Sequence, residues 1–189
     1  MSDLAVLKDA EIVVAVCGGI AAYKVADVVS KLVQAGAGVT VCMTENAHRF
    51  VSAITFQALT HRAVHSTVWE ATGDVGFDHL KLTEKADLLL VAPATANILA
   101  KSAAGICDDL VSTMICASGC RIVHAPAMNT RMWLNPITQE NVARLKHFGH
   151  RFIGPEDGFL AERTMGPGRL SEPQQIISAL AALLRERMA

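Results

Sequence analysis

Short aliphatic runs alternate along this chain with stretches in which apolar residues recur every three or four positions. Residues 11–17 (Glu-Ile-Val-Val-Ala-Val-Cys), 39–43 (Val-Thr-Val-Cys-Met), 87–93 and 121–125 (Arg-Ile-Val-His-Ala) are short, apolar and bounded by turn residues. That pattern predicts strands buried on both faces, the kind found in parallel sheets. Between them the spacing predicts a helix opening at Gly18-Gly19-Ile20-Ala21-Ala22-Tyr23-Lys24 and running to about residue 34, where Ala35-Gly36-Ala37-Gly38 ends it. Further helices are expected over 47–59, about 98–118, 135–146 and 174–188, and a short strand over 151–153. Residues 61–69 show no dominant period. Residues 80–86 lead into the strand that ends at Pro93.

Strand and helix in alternation predict an α/β fold: one Rossmann-like domain spanning residues 1–189, with a doubly wound, mostly parallel sheet. Parallel strands joined by right-handed crossovers bring their carboxyl ends, at Gly18, Thr44 and Pro93, to one edge of the sheet. Residues 154–173 differ in kind. Gly154, Gly158, Gly166 and Gly168 with Pro155, Pro167 and Pro173 predict a long loop that acts as a lid.

Composition narrows the classes of function. A formal net charge of −1, from 17 basic and 18 acidic residues, gives no field that would attract nucleic acid or an anionic membrane. No apolar run is long enough to span a bilayer, and the opening Met1-Ser2-Asp3-Leu4 lacks the regions of a signal peptide, so a cytoplasmic protein is expected. Cys17, Cys42, Cys107, Cys116 and Cys120 show no C-x-x-C spacing. They predict reduced, mostly buried thiols and no metal site.

Candidate chemistry gathers at the strand ends. Gly18-Gly19 between a strand and a helix is a place where backbone N–H groups can hold a phosphate, although neither a dinucleotide fingerprint nor a P-loop is present. Thr44 and Asn46, then Pro93, Ala94 and Thr95, add a crevice of small and hydroxyl-bearing residues suited to a mononucleotide with one phosphate. His79, just before the strand that ends at Pro93, is a side chain suited to proton transfer near neutral pH. Nothing comparable singles out His48, His61, His65, His124, His147 or His150.

Taken together, Gly18-Gly19-Ile20-Ala21-Ala22-Tyr23-Lys24, His79, Pro93-Ala94-Thr95-Ala96-Asn97 and Pro126-Ala127-Met128-Asn129-Thr130-Arg131-Met132-Trp133 resemble the flavin-containing cysteine decarboxylases. That family includes phosphopantothenoylcysteine decarboxylase and the enzymes that decarboxylate the C-terminal cysteine of precursor peptides. The resemblance implies FMN, with its phosphate and ribityl chain near Gly18, Gly19, Ile20, Thr44, Glu45 and Asn46 and its ring near Pro93, Ala94 and Thr95. It makes His79 the base and Asn97 a catalytic partner; Asn129, with Asn97, would hold the substrate carboxylate, and Met128 and Met132 would line its site. It also implies a homotrimer or a multiple of trimers. The chemistry is coherent. A cysteine carboxylate has no electron sink, whereas oxidising the thiol to a thioaldehyde creates one, so that CO2 can leave an enethiolate behind.

One stretch departs from the family. Where phosphopantothenoylcysteine decarboxylases resemble Ala-Cys-Gly-x-x-Gly-x-Gly-Arg-Met, this chain has Ala161-Glu162-Arg163-Thr164-Met165-Gly166-Pro167-Gly168-Arg169-Leu170. Glu162 stands at the cysteine credited with proton donation to the enethiol. Two readings are open. Either the lid has lost the reductive half-reaction, or Glu162 has become the acid by burial under it. The first predicts oxidative decarboxylation to an aminoenethiol, with a C-terminal peptidyl cysteine as the substrate. The second predicts conversion of phosphopantothenoylcysteine to phosphopantetheine in coenzyme A biosynthesis. A non-catalytic FMN-binding regulatory subunit is a third expectation. A flavin prenyltransferase of similar fold is disfavoured by the absence of its Ser-Gly-Ala-Ser-Gly opening.

Overall fold

The computed structural model describes residues 5–69 and 82–188. Six strands form one sheet: β1 (Glu11–Val16), β2 (Gly38–Met43), β3 (Val64–His65), β4 (Leu88–Ala94), β5 (Arg121–Pro126) and β6 (Arg151–Phe152). Their order is β3-β2-β1-β4-β5-β6, and every neighbouring pair is parallel. The doubly wound expectation therefore holds.

Alternation along the central strands feeds two cores, because successive side chains leave a strand on opposite faces. Ile12, Val14 and Val16 of β1 join Leu88, Leu90 and Ala92 of β4 on one face. There they pack on α1 (Ala22–Gln34), through Val25, Val28, Val29 and Leu32, and on α7 (Pro173–Met188), through Ile176, Ile177, Leu180 and Leu184. Val13, Ala15, Leu89 and Val91 face the other way, toward α3 (Ala96–Ala104), α4 (Leu110–Ala117) and α6 (Pro136–His147). Both faces of the sheet are thus covered, which is why the central strands read as unbroken aliphatic runs.

Three expected elements are corrected. The helix expected over 98–118 is two, α3 and α4, because Gly105 turns into the left-handed region (φ 70°) and Asp109 opens a new helix. The Asp109 side chain accepts from the Ser112 backbone N–H at 2.7 Å, and the Ser112 hydroxyl accepts from the Asp109 N–H at 3.1 Å, a reciprocal capping box. The helix expected over 47–59 is a 3-10 turn, Glu45–Arg49, followed by α2 (Ala53–Thr60). Ser52, with extended φ and ψ, separates the two.

The loop expected over 154–173 contains an antiparallel hairpin, β7 (Glu156–Phe159) paired with β8 (Met165–Arg169). The cysteines are also less buried than expected: Cys17 and Cys42 are buried, Cys120 is half-buried, and Cys107 and Cys116 are exposed. Among the described residues no helix is long and apolar enough to cross a membrane.

Candidate functional site

The sheet order reverses at β1, whose chain continues to β2 on one side while β4 lies on the other. At such a switch point the two outgoing loops diverge and leave a crevice at the carboxyl ends of the strands. A cleft of about 1000 Å³ opens there. It brings together Gly18, Gly19, Ile20, Thr44, Glu45, Asn46, Thr95, Asn97, Met128, Asn129, Met132 and Glu162, residues drawn from stretches more than 140 positions apart in sequence.

One wall is set by a close approach of two backbone segments. A Cβ on Gly18 would stand 2.5 Å from the Asn46 Cβ and 2.8 Å from its carbonyl carbon, so only glycine lets the turn after β1 lie against the segment after β2. Helix α1 starts behind that turn with no side-chain cap and no acidic residue in its first turn; the Ala22 and Lys24 N–H groups are taken by the Gly19 and Ala21 carbonyls, and the positive end of the helix dipole faces the turn without a countercharge from its own first turn. Beside it the Thr44 hydroxyl is buried with no hydrogen-bond partner. A buried orphan hydroxyl is costly unless a ligand completes it.

The opposite wall comes from the ends of β4 and β5. Thr95 caps α3, its hydroxyl accepting from the Ile98 N–H at 3.3 Å, which leaves Asn97 exposed in the first turn. Pro93 and Ala94, expected beside a flavin ring, are buried in β4 and do not line the cleft; Pro93 backs Gly19 from behind. After β5 the chain runs through Met128 and Asn129 into the short α5 (Thr130–Trp133), with Met132 half-exposed at the rim. The Asn129 side-chain amide oxygen caps α5 by accepting from the Arg131 N–H at 2.7 Å.

The hairpin forms the roof. The Met128 N–H donates to the Gly168 carbonyl at 2.9 Å. Gly168 has φ 140°, and a Cβ there would stand 2.2 Å from the Met128 carbonyl oxygen, while one on Gly166 would stand 2.5 Å from the Thr130 hydroxyl. The glycines of the late loop are therefore what lets the hairpin lie on the Pro-Ala-Met-Asn segment. At its tip the Leu160 N–H donates to Thr164 and the Arg163 N–H to Leu160, both at 2.9 Å, with Arg163 in the left-handed region (φ 64°). Glu162 faces inward and accepts from the Asn129 side-chain amide.

Sequence reasoning missed the floor. The Lys101 ammonium lies 2.7 Å from Asp108 and 2.9 Å from Asp109, and all three line the cleft. Burial opposes ionisation of Asp109, but the Ser112 N–H and the Lys101 ammonium outweigh it and lower its pKa. The signal was Asp109-x-x-Ser112 after a glycine, a helix start hidden inside an expected helix. Cys17 also lines the cleft, yet burial, with Asp109 nearby, pushes its thiol up to about 12, so it is no thiolate at neutral pH. His79 lies outside the described residues. His124 is buried in β5, away from the cleft.

A family model described as Flavoprotein matches residues 3–185. The coenzyme A biosynthesis bifunctional protein CoaBC of Mycolicibacterium smegmatis is 46% identical over 176 residues, 93% of this chain and 42% of that protein. CoaBC of Bacillus subtilis is 43% identical over 171 residues, 90% of this chain and 42% of its own. The chain therefore spans about two fifths of the length of these curated relatives.

Among solved structures, the FMN-dependent cysteine decarboxylase SpaF superposes with a TM-score of 0.83 at 34% identity, covering 97% of this chain and 99% of SpaF. A mutant PPC decarboxylase complexed with pantothenoylaminoethenethiol also gives a TM-score of 0.83, at 29% identity, covering 94% of this chain and 100% of that one. With nearly its whole length matched by the family model, and with the strand-end cleft those residues build, this chain belongs to the Flavoprotein family.

Proposed function

We propose that this chain is an FMN-dependent cysteine decarboxylase whose substrate is phosphopantothenoylcysteine, the second of the two substrates that its sequence suggests. The observation that carries the choice is the 46% and 43% identity to CoaBC proteins over nine-tenths or more of the chain, against 34% to SpaF. The structural likeness to PPC decarboxylase along that protein's whole length supports it.

The residues present fit FMN. Its phosphate requires hydrogen-bond donors, a favourable potential and room against the backbone; the orphan Thr44 hydroxyl, the positive end of the α1 dipole and the Gly18 turn would supply them. Gly18, Gly19, Ile20, Thr44, Glu45, Asn46 and Thr95 would hold it. Bound there, FMN would take two electrons from the cysteinyl thiol, which gives the neighbouring carboxylate a route to leave as CO2, and would return them to the resulting enethiol, so that CO2 alone is lost overall.

The protein's own residues orient the substrate. The Asn129 amide, fixed by the Arg131 N–H on its oxygen, directs its NH2 group into the cleft as a donor for a carboxylate. Asn97 would be a second, and His79 is the proposed base for the thiol proton. Met128, Met132 and the tip of the β7–β8 hairpin line the cleft and would flank the substrate.

Peptidyl-cysteine decarboxylation is the second reading. Glu162 in place of a lid thiol favours it, as does the fit to SpaF. A homotrimeric assembly and a cytosolic location go with either. Mass spectrometry of holoprotein incubated with phosphopantothenoylcysteine and with a cysteine-ended peptide separates them. Loss of CO2 alone from the first supports our choice. Loss of CO2 and two hydrogens from the peptide, with the first untouched, replaces it by the second, and no loss from either removes both.

A further inference from the structure

We propose that Glu162 is a positioning residue that occupies the substrate-carboxylate donor of Asn129 when that donor has no substrate, gives it up to the incoming carboxylate, and takes it back when CO2 has left. The inference rests on the decarboxylase reading and concerns how the lid takes part in it. Asn129 has one amide. Its oxygen is committed to the Arg131 N–H at 2.7 Å, so its NH2 group is held at one orientation, toward the cleft and the hairpin tip. In that position it donates to a Glu162 carboxylate oxygen, the group a cysteinyl substrate would present.

The contact is no accident of a loose tip. The hairpin is seated by the Met128 N–H on Gly168, by the glycine faces of Gly166 and Gly168 on Thr130 and Met128, and by the two backbone bonds that close its turn. Glu162 is thus aimed by the same segment, residues 128–130, that presents the amide. Glu162 itself is exposed. Its hydrogen-bonding partner is the site's own donor.

The consequence differs for the two ends of the reaction. A carboxylate-bearing ligand must displace Glu162 and place its own negative charge beside a second one. A decarboxylated ligand leaves the amide empty, and Glu162 can accept from it through a carboxylate oxygen while the hairpin keeps its seat. Deleting the side chain should therefore push the two affinities in opposite directions. A hairpin that merely lost stability would weaken both.

The test uses the FMN-loaded protein, with S-methyl-phosphopantothenoylcysteine and S-methyl-phosphopantetheine as unreactive probes, titrated calorimetrically. Glu162→Ala should bind the carboxylate probe about tenfold more tightly, the effect of removing one charged hydrogen-bond competitor. The decarboxylated probe should bind more weakly than to wild type. Glu162→Gln keeps an acceptor without the charge and should fall between. The same substitution made in an Asn129→Ala background should leave the carboxylate probe unchanged. If Glu162→Ala moves both probes together, or weakens the carboxylate probe, the inference fails. CO2 release by wild type from the free-thiol substrate is measured alongside: release with failed titrations sinks the inference alone, and no release sinks the decarboxylase reading and the inference with it.

Discussion

At the scale of single residues, the site is defined by polar groups that the fold leaves incomplete. Thr44 is the clearest, a buried hydroxyl at the end of β2 without a hydrogen-bond partner, next to the Gly18 turn. If FMN completes it, Thr44→Val removes one hydrogen bond and leaves the shape. The expected result is FMN binding weakened about fivefold to tenfold, with unchanged thermal stability of the apoprotein, read from quenching of flavin fluorescence on titration. Equal FMN affinity in the two proteins would take Thr44 out of the cofactor site. His79 lies outside the described residues and is tested by rate: His79→Asn should keep FMN and lose about 10² to 10⁴ in turnover, the usual range for a missing general base.

At the scale of elements, the hairpin and the α3–α4 break carry the function that periodicity did not show. Gly168→Ala puts a methyl group 2.2 Å from the Met128 carbonyl oxygen at φ 140°, so the hairpin must leave its seat. Turnover should fall at least tenfold while the purified protein keeps its FMN, since the phosphate wall is elsewhere; loss of flavin instead would mean that the hairpin holds the cofactor.

The central strands were legible because burial on both faces leaves them uniformly aliphatic. The hairpin was not. Met165-Gly166-Pro167-Gly168-Arg169 has the composition of a turn, and it is a strand because its glycines fit Met128 and Thr130, a contact far away in sequence. The Glu162–Asn129 contact was hidden for the same reason, although both residues were singled out from the sequence. The break at Gly105 was written in the sequence as a left-handed helix stop followed by Asp109-x-x-Ser112, and the apolar period running through it masked it. Asp109→Ala should cost about 1 to 2 kcal/mol in denaturant unfolding, as loss of a cap does, and leave Lys101 on the cleft floor paired with Asp108.

At the scale of the whole molecule, the pH dependence of folding depends on a histidine that has nothing to do with the cleft. His124 sits in β5 with no exposed surface, its Nε2 2.9 Å from the His150 Nδ1 and its own Nδ1 unpartnered. Burial, with His150 adding to it, holds its pKa down from 6.5 to about 3, and burial lowers that of His150 too. The unfolded chain therefore takes up a proton near pH 6.5 that the folded chain refuses until about pH 3. Between those values the unfolded state binds more protons, so stability falls as pH falls, by an amount per unit that approaches ~1.4 kcal/mol for His124 alone. Above pH 6.5 this term is absent. From pH 6.5 to 5 His124 acts together with His150, whose lowered pKa has the same sign, while carboxylates such as Asp109, whose pKa is depressed, begin to lose their contribution only at lower pH. Urea unfolding across that interval should show the decline in wild type. His124→Phe keeps a ring against Phe152, whose centroid lies 5.1 Å away, and should flatten the slope by about 1 kcal/mol per pH unit while leaving the cleft and its FMN affinity intact. An unchanged slope would mean that the acid sensitivity of this fold resides in other groups.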